Sequence, residues 1–183
     1  MEAILQRASI REFTAEPVED KKIESILKAG MAAPTAGNQR PWEFYVVTAP
    51  TALERLGSAT KYSGPAGKAP LCIVPCFKNK GMRHGDYVVQ DMSACIENML
   101  IEATHLGLGS LWMGIAPKEG RMEIIRNILT IPGHLSPFAL VAIGYAAEKP
   151  ADERVFEQDR IHYVRANYQT HCAYAEPNAL WNS

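Results

Sequence analysis

The sequence predicts an α/β or α+β sandwich built around one sheet, and three observations carry that expectation. Helical and strand patterns are mixed along the chain, with three or four strands expected. Of the 183 residues, 47% are apolar and 21% charged, the composition of one ordinary domain able to bury a core. No internal repeat or low-complexity segment breaks the order.

Residues 19–33 place Ile23, Ile26, Leu27, Gly30 and Met31 at the i, i+3, i+4, i+7, i+8 spacing of a helix lying on a core, and Pro34 ends it. The stretch APTAGNQRPWEF that follows holds two prolines that fix φ and a glycine that frees it. Its Thr35, Asn38 and Gln39 can hydrogen-bond either backbone or ligand, so the segment is a shaped polar loop, a turn or a binding surface. Residues 42–48 are aromatic and β-branched between Pro41 and Pro50, which predicts a strand, and the apolar run 71–77 predicts a second.

The longest helical pattern is 87–106, with Met92, Cys95, Ile96, Met99, Leu100 and Ala103 on one stripe and Ala94 and Ile101 adding apolar surface elsewhere. It reads as a largely buried central helix, stopped by Gly107 and Gly109. SLWMGIA is then a short strand or extended segment ended by Pro117, 119–129 another helix, and 138–145 a third good strand. After Pro150 about thirty residues mix charge and aromatics without clear periodicity. Such a tail needs to be tied down, and a partner subunit is the natural candidate.

Charge and cysteine usage narrow the function classes. Nineteen basic against twenty acidic residues leave a net charge of −1, and no basic run or basic amphipathic helix argues for nucleic acid or anionic membranes. Small-molecule or protein partners are expected. No apolar run reaches the roughly 18 residues needed to span a bilayer, and MEAILQRASIREF sets an acid and two arginines where a signal peptide carries its apolar core. The expected location is cytoplasmic. Cys72, Cys76, Cys95 and Cys172 lack paired CxxC spacing and read as reduced core thiols, Cys72 and Cys76 on one face of their strand. His84, His105, His134, His162 and His171 are scattered without metal-ligand spacing, so no metal is expected. Dinucleotide and Walker fingerprints are missing, as are the GxSxG and cysteine-protease signatures, so no protein-borne nucleophile is indicated.

What remains is RASIREF, where Arg7, Ser9 and Arg11 alternate. If the segment is extended, all three side chains face one way, as a phosphate-binding set or as a solvated edge of surface ion pairs.

Taken together, RASIREF, the helix ending in AAPTAGNQRPWEFYVV, the run IENMLIEATHLGLGSLWMGIA, the segment IPGHLSPFALVAIGYA and the closing FEQDRIHYV resemble the FMN-dependent nitroreductase family in its short single-domain form, in order and spacing from about Arg7 to Tyr163. The resemblance implies one domain over residues 1–183 with an α+β fold. That fold is a three-layer sandwich with a mostly antiparallel central sheet flanked by helices, in an intertwined homodimer whose interface holds two FMN molecules. By the same resemblance residues 150–183 form a C-terminal extension, and the composition of this tail suggests that it packs on the partner subunit. Carried over by position, Arg7 lies at the FMN phosphate and Ser9 close by, while Arg11 points toward the pyrimidine edge of the ring; Ala8 between them offers no side-chain contact. Pro34, Thr35, Ala36 and Asn38 match the loop that reaches the flavin from the second subunit, with Thr35 where the family often carries serine. Trp112, Met113 and Gly114 match the segment beside the ring, where a backbone N–H near flavin N5 is typical, and Arg160 matches a late basic residue at the phosphate. Within 58–68 no residue matches a flavin or substrate contact.

The activity implied is hydride transfer from NADH or NADPH to FMN and onward to nitroaromatics, quinones or similar electron-poor acceptors by a ping-pong mechanism. Flavin reductase, reductive dehalogenase and a flavin-binding protein without turnover are the alternatives. Arg11 carries the expected catalytic role, because a fixed cation stabilises the charge that reduced flavin holds at N1 and C2=O.

Overall fold

Strand alternation divides the apolar side chains of this chain between two cores, one on each face of a single sheet. The computed structural model describes residues 2–149 and 156–164. The elements of the first stretch are α1 (Glu2–Gln6), α2 (Asp20–Met31), β1 (Trp42–Val47), α3 (Pro50–Gly57), α4 (Gly64–Lys68), β2 (Leu71–Lys78), α5 (Val88–His105), β3 (Gly109–Gly114), α6 (Glu119–Leu129), β4 (Leu135–Pro137) and β5 (Ala139–Gly144). The chain divides into two units after residue 151. In the second unit, a 3-10 turn over Gln158–Arg160 brings Arg160 Nη2 within 2.8 Å of Glu157 Oε1. Most of the proposed C-terminal extension, including Cys172 and His171, lies outside the described residues.

The sheet runs β1-β2-β5-β3, with β4 pairing β2, and every strand pair is antiparallel. In β2, Leu71 and Ile73 enter one core while Cys72, Val74 and Cys76 enter the other. β5 repeats the division, with Ala139, Val141 and Ile143 opposite Leu140 and Ala142. Helices α2 and α5 cover the first face; α3, α4 and α6 cover the second. This is the three-layer α+β sandwich the sequence leads one to expect.

The sheet has five strands rather than three or four, because β4 is a three-residue piece of the 135–144 run, set apart at Phe138. Phe138 N–H donates to Pro75 O at 2.8 Å, so the proline that cannot donate to a ladder sits at the break between β4 and β5. Helices α3 and α4 were also not foreseen. Their eight and five residues are too few for a helical stripe to show, and their buried positions reduce to Leu53, Leu56 and Ala66.

Helix α5 is the axis of the first core, burying Val88, Met92, Cys95, Ile96, Met99, Leu100 and Ala103. Desolvation pushes the Cys72, Cys76 and Cys95 thiols up to about 12, as expected of thiols buried for packing. Helix α2 lies against α5 at Gly30, where a Cβ would stand 2.8 Å from Met99 Cγ and 3.1 Å from Cys95 Sγ. Gly30→Ala therefore trades a gain in helix propensity for overpacking and should lose about 1–3 kcal/mol of stability, read by equilibrium urea denaturation. A variant as stable as the parent would show that α2 and α5 can part at no cost.

Candidate active site

The N-terminal segment leaves α1 and runs along the outer edge of β3. Ser9 pairs in parallel with Ser110, and Ile10 N–H donates to Ser110 O at 3.0 Å. Farther on, Thr14 N–H reaches Tyr145 O and Ala147 N–H reaches Glu12 O, each at 2.9 Å. Ile10 is buried and rests on Gly109, where a Cβ would come within 2.9 Å of two Ile10 carbons; the glycine lets the segment dock. Ser9 and Arg11 are exposed on either side of buried Ile10, as alternation predicts, while Arg7, whose N–H donates to Ala3 O at 2.9 Å, still belongs to the end of α1 and is half-buried.

The two guanidiniums differ in what they meet. Arg7 Nε pairs with Glu97 Oε1 of α5 at 3.4 Å, which uses the inner nitrogen and leaves the terminal pair for a bidentate contact. Arg11 folds back so that Nη1 donates to Ser9 O at 3.3 Å, and among the described residues its guanidinium makes no ion pair. The backbone beneath it is fixed instead by Glu148, whose Oε1 accepts the N–H groups of Arg11 at 2.5 Å and Glu12 at 3.2 Å. The Arg11 N–H, followed by the Glu12 N–H and the charges of Arg11 and Lys68, holds the Glu148 carboxyl below its ordinary value against partial desolvation. Lys68 itself pairs with Glu12.

Beyond Ser110 the outer edge of β3 keeps backbone N–H groups without a partner among the described residues, while Gly114 O lies 3.4 Å from Arg121 Nη1. Strand alternation sets the N–H groups of Trp112 and Gly114 on the same outward side as the backbone of Ser110, and among the described residues neither donates outside the ladder. The side chains here turn elsewhere. The Trp112 ring packs with Phe138 at a centroid distance of 6.3 Å, Met113 is buried in the opposite core, and Gly114 is exposed with open space where a Cβ would stand. This segment offers a ligand its main chain.

The loop after α2 is pinned by a buried carboxylate. Asp91, near the start of α5, accepts Ala36 N–H on Oδ1 at 2.9 Å and Gln39 Nε2 on Oδ2 at 2.7 Å. Gln39 also joins the main chain of His84 in both directions, each at 3.0 Å. Gly37 has a φ of +56° and lies against the His84 ring, where a Cβ would come within 2.6 Å, so a side chain there would be strained and would force the ring to shift. Asn38 and Arg40 also take positive φ. Thr35 Oγ1 accepts Arg40 N–H at 3.2 Å and Asn38 Oδ1 accepts Arg40 Nε at 3.0 Å, so both side chains help to shape the loop. Pro34 is exposed at its start.

Within one chain the expected site residues thus form separate groups. Arg7, Ala8, Ser9 and Arg11 lie on the segment joined to β3 at Ser110, and Trp112, Met113 and Gly114 follow on the same strand. Pro34, Thr35, Ala36 and Asn38 stand on α5, and no hydrogen bond or ion pair among the described residues joins that loop to the 7–11 segment. Arg160 belongs to the second unit. Sequence reasoning missed Glu97, Glu148 and Asp91. Of these, Asp91 left a signal, since it falls on the apolar stripe with Val88, Met92 and Cys95, where a carboxylate needs hydrogen-bond partners. Among the described residues no His, Cys, Asp or Glu cluster could hold a metal ion, and no helix is long and apolar enough to cross a membrane.

Residues 4–145 match the Nitroreductase family. A protein of Archaeoglobus fulgidus, provisionally named NADH dehydrogenase/NAD(P)H nitroreductase, is 40% identical over 88% of this chain and 95% of its own. A Clostridium acetobutylicum structure, provisionally named an NADH oxidase, superposes with a TM-score of 0.84 at 36% identity, covering 89% of this chain and 99% of that one. A Desulfovibrio desulfuricans structure, provisionally a nitroreductase and solved in complex with FMN, gives 0.77 at 28% identity, covering 90% and 95%.

The Glu148 clamp makes a pH-dependent contribution of known sign. A carboxyl whose folded value is depressed stabilises the fold above its unfolded value, near 4.5, and loses that contribution as pH falls through the lower folded value. Glu148→Gln keeps an acceptor oxygen and removes the charge. Melting curves taken from neutral pH downward should show the variant below the parent in Tm, with the gap closing only under pH 4.5. A gap independent of pH would mean that the charge does not matter.

Proposed function

The chain belongs to the nitroreductase family and is an NAD(P)H-dependent flavin oxidoreductase, and from that premise we propose that it reduces nitroaromatics, quinones or similar electron-poor acceptors as a homodimer. One observation carries the reading: on the strand whose Ser110 receives the 7–11 segment, the N–H groups of Trp112 and Gly114 make no bond outside the ladder, and on that segment the Arg11 guanidinium forms no ion pair, among the described residues. The residues present suit FMN. Arg7, with two terminal nitrogens left over from its Glu97 pair, would hold the phosphate together with Ser9. Arg11 would face the pyrimidine edge and the Gly114 N–H the ring nitrogen N5. When bound, FMN supplies the two-electron chemistry between nicotinamide and acceptor.

The protein's part is to bind, orient and bias. Arg11 is a fixed cation that favours negative charge at the ring edge, and the Glu148 clamp keeps its backbone from drifting. The loop 34–38 is shaped in advance by Asp91 yet makes no hydrogen bond to the 7–11 segment of its own chain, which suits service to the other protomer's site. Ile4, Leu5, Met31, Tyr87 and Val89, on α1, at the end of α2 and at the start of α5, are each more than half exposed; apolar side chains of that size support a subunit contact. A dimer of this kind buries more than about 2,000 Å².

The protein should purify yellow, and Arg7→Ala should weaken FMN binding roughly ten- to a hundredfold, about 1.5–3 kcal/mol, by fluorescence titration of apoprotein. Undiminished affinity would remove Arg7 from the phosphate site. In stopped-flow, Arg11→Gln should slow reduction by NADH or NADPH by about ten- to a thousandfold while its FMN affinity falls less than that of Arg7→Ala. One open ring face serving two substrates in turn gives parallel initial-rate lines; intersecting lines would show a ternary complex. Sedimentation should find a dimer at every concentration where FMN stays bound, and a flavin-loaded monomer would break the proposed role of loop 34–38.

A further inference from the structure

The turn between α3 and α4 is the part of the chain for which the sequence offers no assignment, and it is firmly built. Ser63 is fully buried; its Oγ accepts Thr60 N–H at 2.8 Å and lies 3.1 Å and 3.0 Å from the Gly57 and Thr60 carbonyls. Gly57 and Gly67 bring α3 and α4 so close that a Cβ on Gly57 would stand 2.8 Å from the Gly67 Cα. What this scaffold presents to solvent is Lys61 and Tyr62, both exposed.

Tyr62 carries two cations. Lys61 Nζ lies 4.6 Å and the Arg121 guanidinium carbon 5.7 Å from its ring centroid. Arg121, on α6, is itself tied to the edge of β3, its Nη1 lying 3.4 Å from Gly114 O. No carboxylate forms an ion pair with either cation among the described residues. Two cations held against one exposed ring, with no carboxylate paired to either among the described residues, give this surface a local positive charge that attracts an anion.

We propose that Lys61, Tyr62 and Arg121 form an anion-selecting subsite, through which the protein prefers substrates bearing a carboxylate or phosphate over neutral ones. The proposal rests on the reading above, because it is the tie to Gly114 that borders the subsite on the edge assigned to the flavin. The anionic group comes from the acceptor or from the nicotinamide donor, and the two sources share one chemistry.

The test uses the flavin-loaded protein with 4-nitrobenzoate and its neutral counterpart 4-nitrobenzamide. The parent should favour 4-nitrobenzoate in kcat/KM and in calorimetric affinity, and Lys61→Gln and Arg121→Gln should each lower that preference about five- to tenfold. If the loss falls instead on the preference for NADPH over NADH, the subsite takes the donor's phosphate and the proposal stands. Lys61→Gln alters an exposed side chain away from the Gly114 tie, so it answers even if Arg121→Gln disturbs β3. Calorimetry separates this inference from the functional one: a protein without turnover that still binds 4-nitrobenzoate through these cations would overturn the activity and keep the subsite. Preferences for 4-nitrobenzoate and for NADPH that are both absent from the parent, or both untouched in the double variant, would overturn the subsite.

Discussion

Backbone donors on the free side of an outer strand must be met by something, and that requirement organises the functional half of this molecule. Strand β3 is, with β1, one of the two outer strands. The N-terminal segment satisfies it as far as Ser110 and no farther, held by Ile10 against Gly109 on one side and by Glu148 from beyond β5 on the other. The same docking covers one stretch of edge, leaves the N–H groups of the next without a partner among the described residues, and fixes the backbone of the segment that bears Arg7 and Arg11. Fold and site are thus one arrangement, since the segment that protects the sheet is the one that carries the cations.

Helix α5 supplies the second constraint. Its apolar stripe fixes it in the core, and from that fixed position it extends Asp91 to the 34–40 loop and Glu97 to Arg7. Six residues separate the two carboxylates, roughly 9 Å along the axis, so one rigid element holds two recognition segments that share no hydrogen bond with each other. Binding segments tied to a packed helix lose less entropy on meeting a ligand than free loops do, which is how a site assembled from short connections can be ordered in advance.

Much of this was legible in the sequence, for identifiable reasons. The α5 stripe, the β2 run and the alternation of Arg7, Ser9 and Arg11 are periodic over enough residues to be read locally, and the stop at Pro34 marks the loop. The contributions of Glu148 and Glu97 were hidden because each depends on a contact between distant segments: 137 residues separate Glu148 from Arg11. Trp112 lies on β3, and its ring belongs to the core with Phe138, a distinction that alternation along the strand makes only once the sheet order is known. The turn at 58–63 escaped for another reason: its order comes from one buried hydroxyl and a contact between two glycines, neither of which leaves a pattern.

That β3 offers main chain rather than side chains has a consequence for how this part of the gene can drift. Peptide N–H groups are common to every residue except proline, so positions 112–114 answer to the neighbours their side chains touch. Trp112 is bound to the fate of Phe138, and Met113 to the second core. Among descendants of this chain, exchanges at 112 should travel with exchanges at 138, and proline should be the residue purged from 112 and 114 while bulk there is negotiated with the interior.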